Sequence, residues 1–597
     1  MSQSPVAKRE RPGAKERHPA KRRITAEQVS AITIACLLGV LPWAASDSFE
    51  DRFAAPKQAL LFGGVGILLL LAVPRPVRLP RSRAVVVSMA GFAAWISLAS
   101  VLSEFPRESI LGWYDFRIGW TTWLAATLLF FAISSISRDP ALVPIVRAGA
   151  FAGLLTMSLM ALGQQTGAAD VLSSMRMATR NTGLAGTPND LAACCIVYLG
   201  FLWPVHQRPR LASIGVATAT LAVFLSVSRA GVVLFIVTII FTAVLGCLAL
   251  GWRKGLRDAA WLGAAFVVGF LLAVPTSTPA QLIGRFENEI PADTPAAEKL
   301  SASGGPRLGF WGAGVEAVLD RPVLGHGADS LAFVYGRYRD DSATLDLYHD
   351  MAIASSHSSA IDIAIAGGVP ALVLLASGIA FIVGPRLRTL RREPESVLPL
   401  AALAGFGAMS LLNPLAIPQL AGFAALLGLL TPSTAPRWRI PRPVQWSFAG
   451  AVFSVAVVAF VAAVMLWIAE SRAADARDAA IEGDYERSVA LYRSAADVLP
   501  IERHYPARIF VSSIDAASYG GSSEFDAAIR AGEDLRDSFP SLAGNLVALA
   551  GLIQMTNPGD PRVEVLLAEA RALEPASQRW AESIARIRTL GSPTPAP

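Results

Sequence analysis

Residues 225–231 read Leu225, Ser226, Val227, Ser228, Arg229, Ala230, Gly231, a polar turn carrying one cation between apolar runs at 210–227 and 229–250. Runs of about 20 apolar residues cross the hydrocarbon core of a bilayer. An arginine at mid-bilayer is costly, so Arg229 belongs at an interface or against a polar cavity. Reading the string as a turn between two spans makes the chain a membrane-spanning helical bundle.

Composition agrees. Of 597 residues, 53% are apolar and 16% charged, and mean hydropathy is +0.47, against about 25% charged in soluble domains. The hydropathy pattern predicts an all-α polytopic bundle of about 13 spans, at 27–46, 56–73, 84–102, 119–136, 144–163, 189–205, 210–227, 229–250, 258–275, 359–384, 397–412, 415–431 and 445–469. The short pair 397–431 also reads as one hairpin.

Cation-rich short loops stay in the cytoplasm. Arg75 to Arg83, Arg138, Arg208 with Arg210, Arg253 to Arg257, Arg386 to Arg392 and Arg437 to Arg442 fall in alternate loops, on the side of the basic tail 1–26. The intervening loops carry acids such as Asp47, Glu50, Asp51, Glu104, Glu108 and Asp115. The N-terminus is therefore expected in the cytoplasm and the C-terminal region outside. The basic tail holds Pro5, Pro12 and Pro19 and no aromatic residue on which bases would stack, so it reads as a disordered segment beside anionic lipid, not a nucleic-acid arm. The first apolar run is too long, and too poor in a cleavage site, for a signal peptide. Cys36, Cys194, Cys195 and Cys247 lie in predicted spans without metal-ligand spacing to histidine, and no phosphate-cradling glycine loop is present.

One outward loop, 276–357, is far longer than the rest, and loops of that length usually work. Its middle reads as an amphipathic helix from Pro306 and Arg307 to Asp320, Arg321, Pro322, followed by Gly325, His326, Gly327 and by Tyr335, Tyr338 and Tyr348. It closes on Ser355, Ser356, His357, Ser358, Ser359. The same face receives Arg229 and the segment from Arg180 to Thr187, Pro188, Asn189, where a helix start points N–H groups at an anion. Convergent arginines suit a phosphate group, and a nearby histidine suits proton transfer near neutral pH.

In order and context these strings resemble the bacterial O-antigen ligase and polymerase family of integral membrane glycosyltransferases. The match rests on Ser228, Arg229, Ala230, Gly231; on Arg307 to Trp311; on Asp320 to Gly327; and on His357 with Ala366, Gly367, Gly368, Val369, Pro370. It covers roughly 170–385. Ser358 stands where the family usually has Asn, and Ala366 where it often has an acid. The resemblance implies a GT-C-like helical fold in the bacterial inner membrane and no cofactor or metal. It implies transfer of a glycan from a polyprenyl diphosphate carrier to an acceptor hydroxyl, on lipid A-core or a similar lipid or glycan, at the periplasmic face. Arg229 and Arg307 would stabilise the departing diphosphate, His357 would be the general base, and Arg180 and Asn189 would contact diphosphate or sugar. Polymerisation of repeat units and transfer to a protein hydroxyl use the same donor site. A lipid-linked glycan transporter is the non-enzyme alternative, but it should show internal repeats and mid-span charges.

Beyond 470, charged residues return with helical periodicity. Gly483, Asp484, Tyr485, Ser488, Tyr492, Ala495 and Pro500 carry the spacing of a tetratricopeptide helix pair, with an echo ending at Ala570 and Pro575. Residues 470–590 are expected to form a periplasmic helical domain that holds a protein partner or acceptor, and 591–597 a disordered end.

Overall fold

The computed structural model describes residues 25–73, 79–168, 180–288, 296–339, 353–431, 442–519, 522–575 and 577–589. The basic tail before Thr25, Tyr348 and the chain end after Thr589 lie outside them.

Every predicted span is occupied by a helix, and among the described residues eight helices are long and apolar enough to cross a membrane. The others, Trp120–Ile136, Pro188–Leu199, Pro209–Leu225, Val397–Ser410 and Ile417–Leu430, are 12 to 17 residues long. Pro188–Leu199 is buried at every position but Asn189. Spans wrapped by other helices need not match the full hydrocarbon thickness. The long helices Arg229–Leu250 and Trp252–Ala273 instead expose rows such as Val233, Val237, Ile240, Val244 and Val267, Val268, Leu271, apolar surface suited to lipid.

Loops alternate between two ends of the bundle. At one end the cationic loops meet: Arg138 binds Leu79 O, Arg391 reaches Leu248 O at 3.3 Å and Arg386 reaches Leu430 O at 2.5 Å. At the other end the acidic and polar loops knit together. Asp51 caps the helix Ala54–Ala72 by accepting from Ala54 N and Ala55 N at 2.8 and 2.7 Å. Lys57, 1% exposed, donates to Phe53 O at 2.9 Å and Leu184 O at 2.8 Å, tying that helix to the 180–187 loop.

The loop helix begins earlier than the sequence predicts. It runs Ala296–Asp320, with Pro306 ten residues inside it. Proline usually marks a first turn, but Ala296, Ala297, Glu298, Lys299 and Leu300 are strong helix formers that carry the helix upstream.

Helix Ser359–Arg388 is broken at Gly367 (φ −138°, ψ 21°) and Gly368 (φ 67°, ψ −176°). The break and Pro370, which has no N–H, leave backbone groups without intrahelical partners, and the segment 322–327 takes them up. His326 N donates to Ile365 O at 2.7 Å, Gly327 N to Ala366 O at 3.1 Å, and Val369 N to Pro322 O at 2.8 Å. Trp95 Nε1 donates to Gly367 O at 2.7 Å. Irregular backbone at membrane depth is tolerated where protein satisfies it in this way. Gly325, at φ 66°, has no alternative: a Cβ there would lie 2.3 Å from Ile365 O.

The last apolar helix, Arg442–Ile481, runs unbroken through residue 470 into the C-terminal region. Tyr485–Val498, His504–Tyr519, Ser522–Ser538, Ala543–Thr556, Pro561–Leu573 and Gln578–Thr589 follow as successive antiparallel helices. Ser488, Tyr492 and Ala495 are buried. The helical tail bends back over the polar end, where Arg503 Nε donates to Pro540 O at 3.1 Å and its guanidinium covers the Phe333 ring. Arg339 pairs with Glu574 at 3.7 Å.

Candidate active site

Ser226 to Ser228 form a tight turn in which Val227, 1% exposed, holds φ 52°, an outlier for a β-branched residue. Ser228 caps the next helix by accepting from Gly231 N at 3.1 Å, so Arg229 is the first residue of Arg229–Leu250 and half-buried. That position adds a guanidinium to the positive end of a helix dipole.

The turn is tied to the rest of the polar end by side-chain amides. Asn181 Nδ2 donates to Leu225 O at 2.9 Å, which lays the Arg180 loop against it. Ser228 Oγ donates to Asn189 Oδ1 at 2.7 Å, Asn189 Nδ2 to Asn413 Oδ1 at 2.8 Å, and Ser359 Oγ to Asn413 O at 2.8 Å. Asn189 is thus a bridge between Ser228 and Asn413. The helix start expected at Thr187 is present as a capping box closed by Asp190, whose Oδ1 also accepts from Gln419 at 2.7 Å.

Ser359 lies two residues beyond His357, which sits at φ 58°. Asp362 holds this turn, accepting from Ser355 Oγ at 2.7 Å and from Ser356 N and Oγ at 2.8 and 2.7 Å. His357 N donates back to Ser355 Oγ at 3.0 Å. A non-glycine residue in the left-handed region is held there by its surroundings, and here an aspartate does the holding. The imidazole packs 5.3 Å from the Phe310 ring, one turn along the loop helix from Arg307. Burial pushes the His357 pKa below its ordinary value, and the Arg307 charge pushes it further down. The ring is therefore neutral at pH 7, with a lone pair to accept a proton.

The Arg307 charge reaches His357, the Arg229 helix start is linked to the His357 turn through Ser228, Asn189, Asn413 and Ser359, and the Arg180 loop to the Arg229 turn through Asn181. His326 is fully buried and donates from Nε2 to Ala317 O at 2.9 Å inside the clasp. Sequence reasoning missed Asp362 and Asn413. Asn413, a single amide between two short apolar runs, was the available signal; Asp362, one turn into a span after His357, was another.

The structure is thus an all-helical bundle with eight helices, among the described residues, long and apolar enough to cross a membrane, and with a cationic turn and a histidine turn joined by hydrogen bonds. Residues 214–376 match the family model described as O-antigen ligase, so this segment of the chain is similar to that family. The matched segment holds Arg229, Arg307, the 322–327 clasp and His357 and ends beyond the Gly367–Gly368 break; Arg180 and Asn189 precede it. No curated protein matches the chain.

Proposed function

We propose that the chain moves a glycan from a polyprenyl diphosphate carrier to an acceptor hydroxyl at the periplasmic face of the bacterial inner membrane. The carrying observation is the pairing of a neutral His357 with Arg307, hydrogen-bonded through Asn189 and Asn413 to the helix start that holds Arg229. His357 takes the proton of the acceptor O–H as that oxygen bonds to the anomeric carbon. The bond from that carbon to the diphosphate oxygen breaks, and the lipid diphosphate leaves with its electron pair. Arg229 and Arg307 stabilise the charge that grows on it. Arg180 contacts the diphosphate from its neighbouring loop, and Asn189 orients the Arg229 turn.

The orientation follows from the cationic loops, which stay in the cytoplasm, and it puts the helical tail in the periplasm. The test is reconstitution of the purified chain with a polyprenyl diphosphate glycan and candidate acceptors. One added glycan per acceptor denotes ligation, a ladder denotes polymerisation, and no product from any acceptor sinks the proposal.

A further inference from the structure

Next to His357 lies a cleft open to solvent, with about 490 Å³ of space including its mouth, walled by Asp329 to Leu331, by Phe116, Ile118 and Trp123, by Pro414 and Leu415, and by the first turns of the kinked helix. Its polar lining is two carboxylates, Asp329 and Asp362, and the hydroxyls of Ser330, Ser355 and Ser359; no Lys, Arg or His lines it. The rest is apolar and includes the Phe116 and Trp123 rings.

Both carboxylates are fixed before any ligand arrives. Trp113 N and Ile118 N donate to Asp329 Oδ2 at 2.8 and 3.1 Å, which leaves Oδ1 without a hydrogen bond among the described residues. Asp362 is held by the serines that carry His357. Small-molecule sites have this make-up, mostly apolar walls with a few oriented polar groups. The backbone donors on Asp329 Oδ2 leave Oδ1 as an open acceptor, so the ligand is matched by O–H or N–H donors, and by apolar faces for the rings. A pyranose has both. A diphosphate has neither, and no cation lines the cleft to meet its charge.

Resting on the transferase reading, we propose that this cavity is the acceptor subsite and takes a pyranose free of phosphate and carboxylate groups, bound through hydroxyl or amino donors to Asp329 and Asp362. Charge sorts the two substrates. The lipid diphosphate goes to the arginine side of His357 and the acceptor sugar to the carboxylate side, so the base lies beside the junction where the acceptor oxygen meets the anomeric carbon and takes the proton from the flank.

The test is saturation-transfer NMR on the full-length protein in lipid nanodiscs, with methyl glucoside and methyl glucoside 6-phosphate as probes. The neutral glycoside is expected to bind and its phosphate to bind at least about tenfold more weakly, the scale of one lost or repelled charge contact. Leu415→Trp, which fills the cavity from a short turn, and Asp329→Asn should each weaken glycoside binding by a similar factor. Equal or better binding of the phosphate, no glycoside binding, or unchanged binding in both variants overturns the subsite. Binding needs no turnover, so the two ideas fail separately. A chain that binds the glycoside but transfers nothing sinks the transferase reading alone, and one that transfers without binding it sinks only the subsite.

Discussion

Arg117 Nη2 donates to Glu470 Oε1 at 2.5 Å with both side chains fully buried, joining a loop between two early spans to the helix that leaves the membrane region. The same guanidinium reaches Asp51 at 3.0 Å and Glu502 at 3.0 Å and lies over the Tyr114 ring at 4.5 Å. Tyr114 and Tyr505 hydroxyls both donate to Glu470 at 2.9 Å. Three carboxylates around it hold the Arg117 pKa well above its ordinary value despite burial. One cation thus links the loop that carries Asp51, the loop that carries Arg117 itself and the start of the C-terminal helices at Glu470 and Glu502.

Arg117→Ala leaves three buried carboxylates facing one another. Removing one partner of a buried pair costs about 3–5 kcal/mol, so the variant should melt well below the wild type in a thermal size-exclusion assay. It should also become sensitive to protease near Gly483, where the tail would swing free. A variant as stable as the wild type would mean that the apolar contacts of the tail hold it unaided.

Arg307 lowers the His357 pKa by charge, second to burial. Arg307→Gln removes that charge while burial remains, so the His357 pKa should rise part of the way back to its ordinary value. A base with a higher pKa stays protonated to higher pH, and the acid limb of the kcat/KM profile should move up accordingly. An unmoved limb would dissociate the two residues. The same substitution should lower kcat by about 10²–10³-fold if Arg307 also stabilises the departing diphosphate.

How much of this was legible in the sequence follows from what each signal depends on. The spans and their alternating ends depend on local hydropathy and on Lys and Arg counts, and both survive without tertiary information. Arg229 was readable as a helix start because Ser228 precedes it and Gly231 follows. The interior of the bundle was not. Pro188–Leu199 looks like any span, but full burial on nearly every side lets it be short. Asp362 reads as a charge one turn into a helix until the Ser355–Ser356 turn is seen folded onto it. The Gly325 to Gly327 and Ala366 to Pro370 strings each suggest a turn, and only their hydrogen bonds to one another show that they are two halves of one clasp. Arg117 escaped notice because its partners are 66, 353 and 385 residues away.

The clasp gives a matched pair of glycine substitutions. At Gly368, φ is 67° and a Cβ would lie 2.2 Å from Val323 O, whereas Gly384, in the same helix, has nothing within 4 Å. Gly368→Ala should lose at least about 1 kcal/mol to the left-handed backbone alone and more to the clash, and its activity should collapse because the 322–327 segment can no longer dock. Gly384→Ala should be neutral or stabilised by up to about 1 kcal/mol, since alanine favours the helix. Thermal midpoints and transfer rates of the two variants check this, and equal behaviour would mean that the break is not a structural requirement.

Asp329 supplies a pH dependence whose sign is fixed. Its carboxyl is pushed up to about 7, mainly by burial, against two lowering N–H contacts from Ile118 and Trp113 and with Asp362 raising it further. Between the ordinary carboxylate range near 4 and that value, the folded chain keeps a proton that the unfolded chain has released. Stability therefore falls as pH rises through this window, and below it the two states bind the proton equally. Asp329→Asn cannot ionise and still offers an oxygen to Trp113 N and Ile118 N. Thermal midpoints measured at intervals from pH 4 to pH 8 should decline with pH in the wild type and decline less steeply in the variant. Parallel curves would assign the slope to other groups and leave Asp329 ionised at neutral pH.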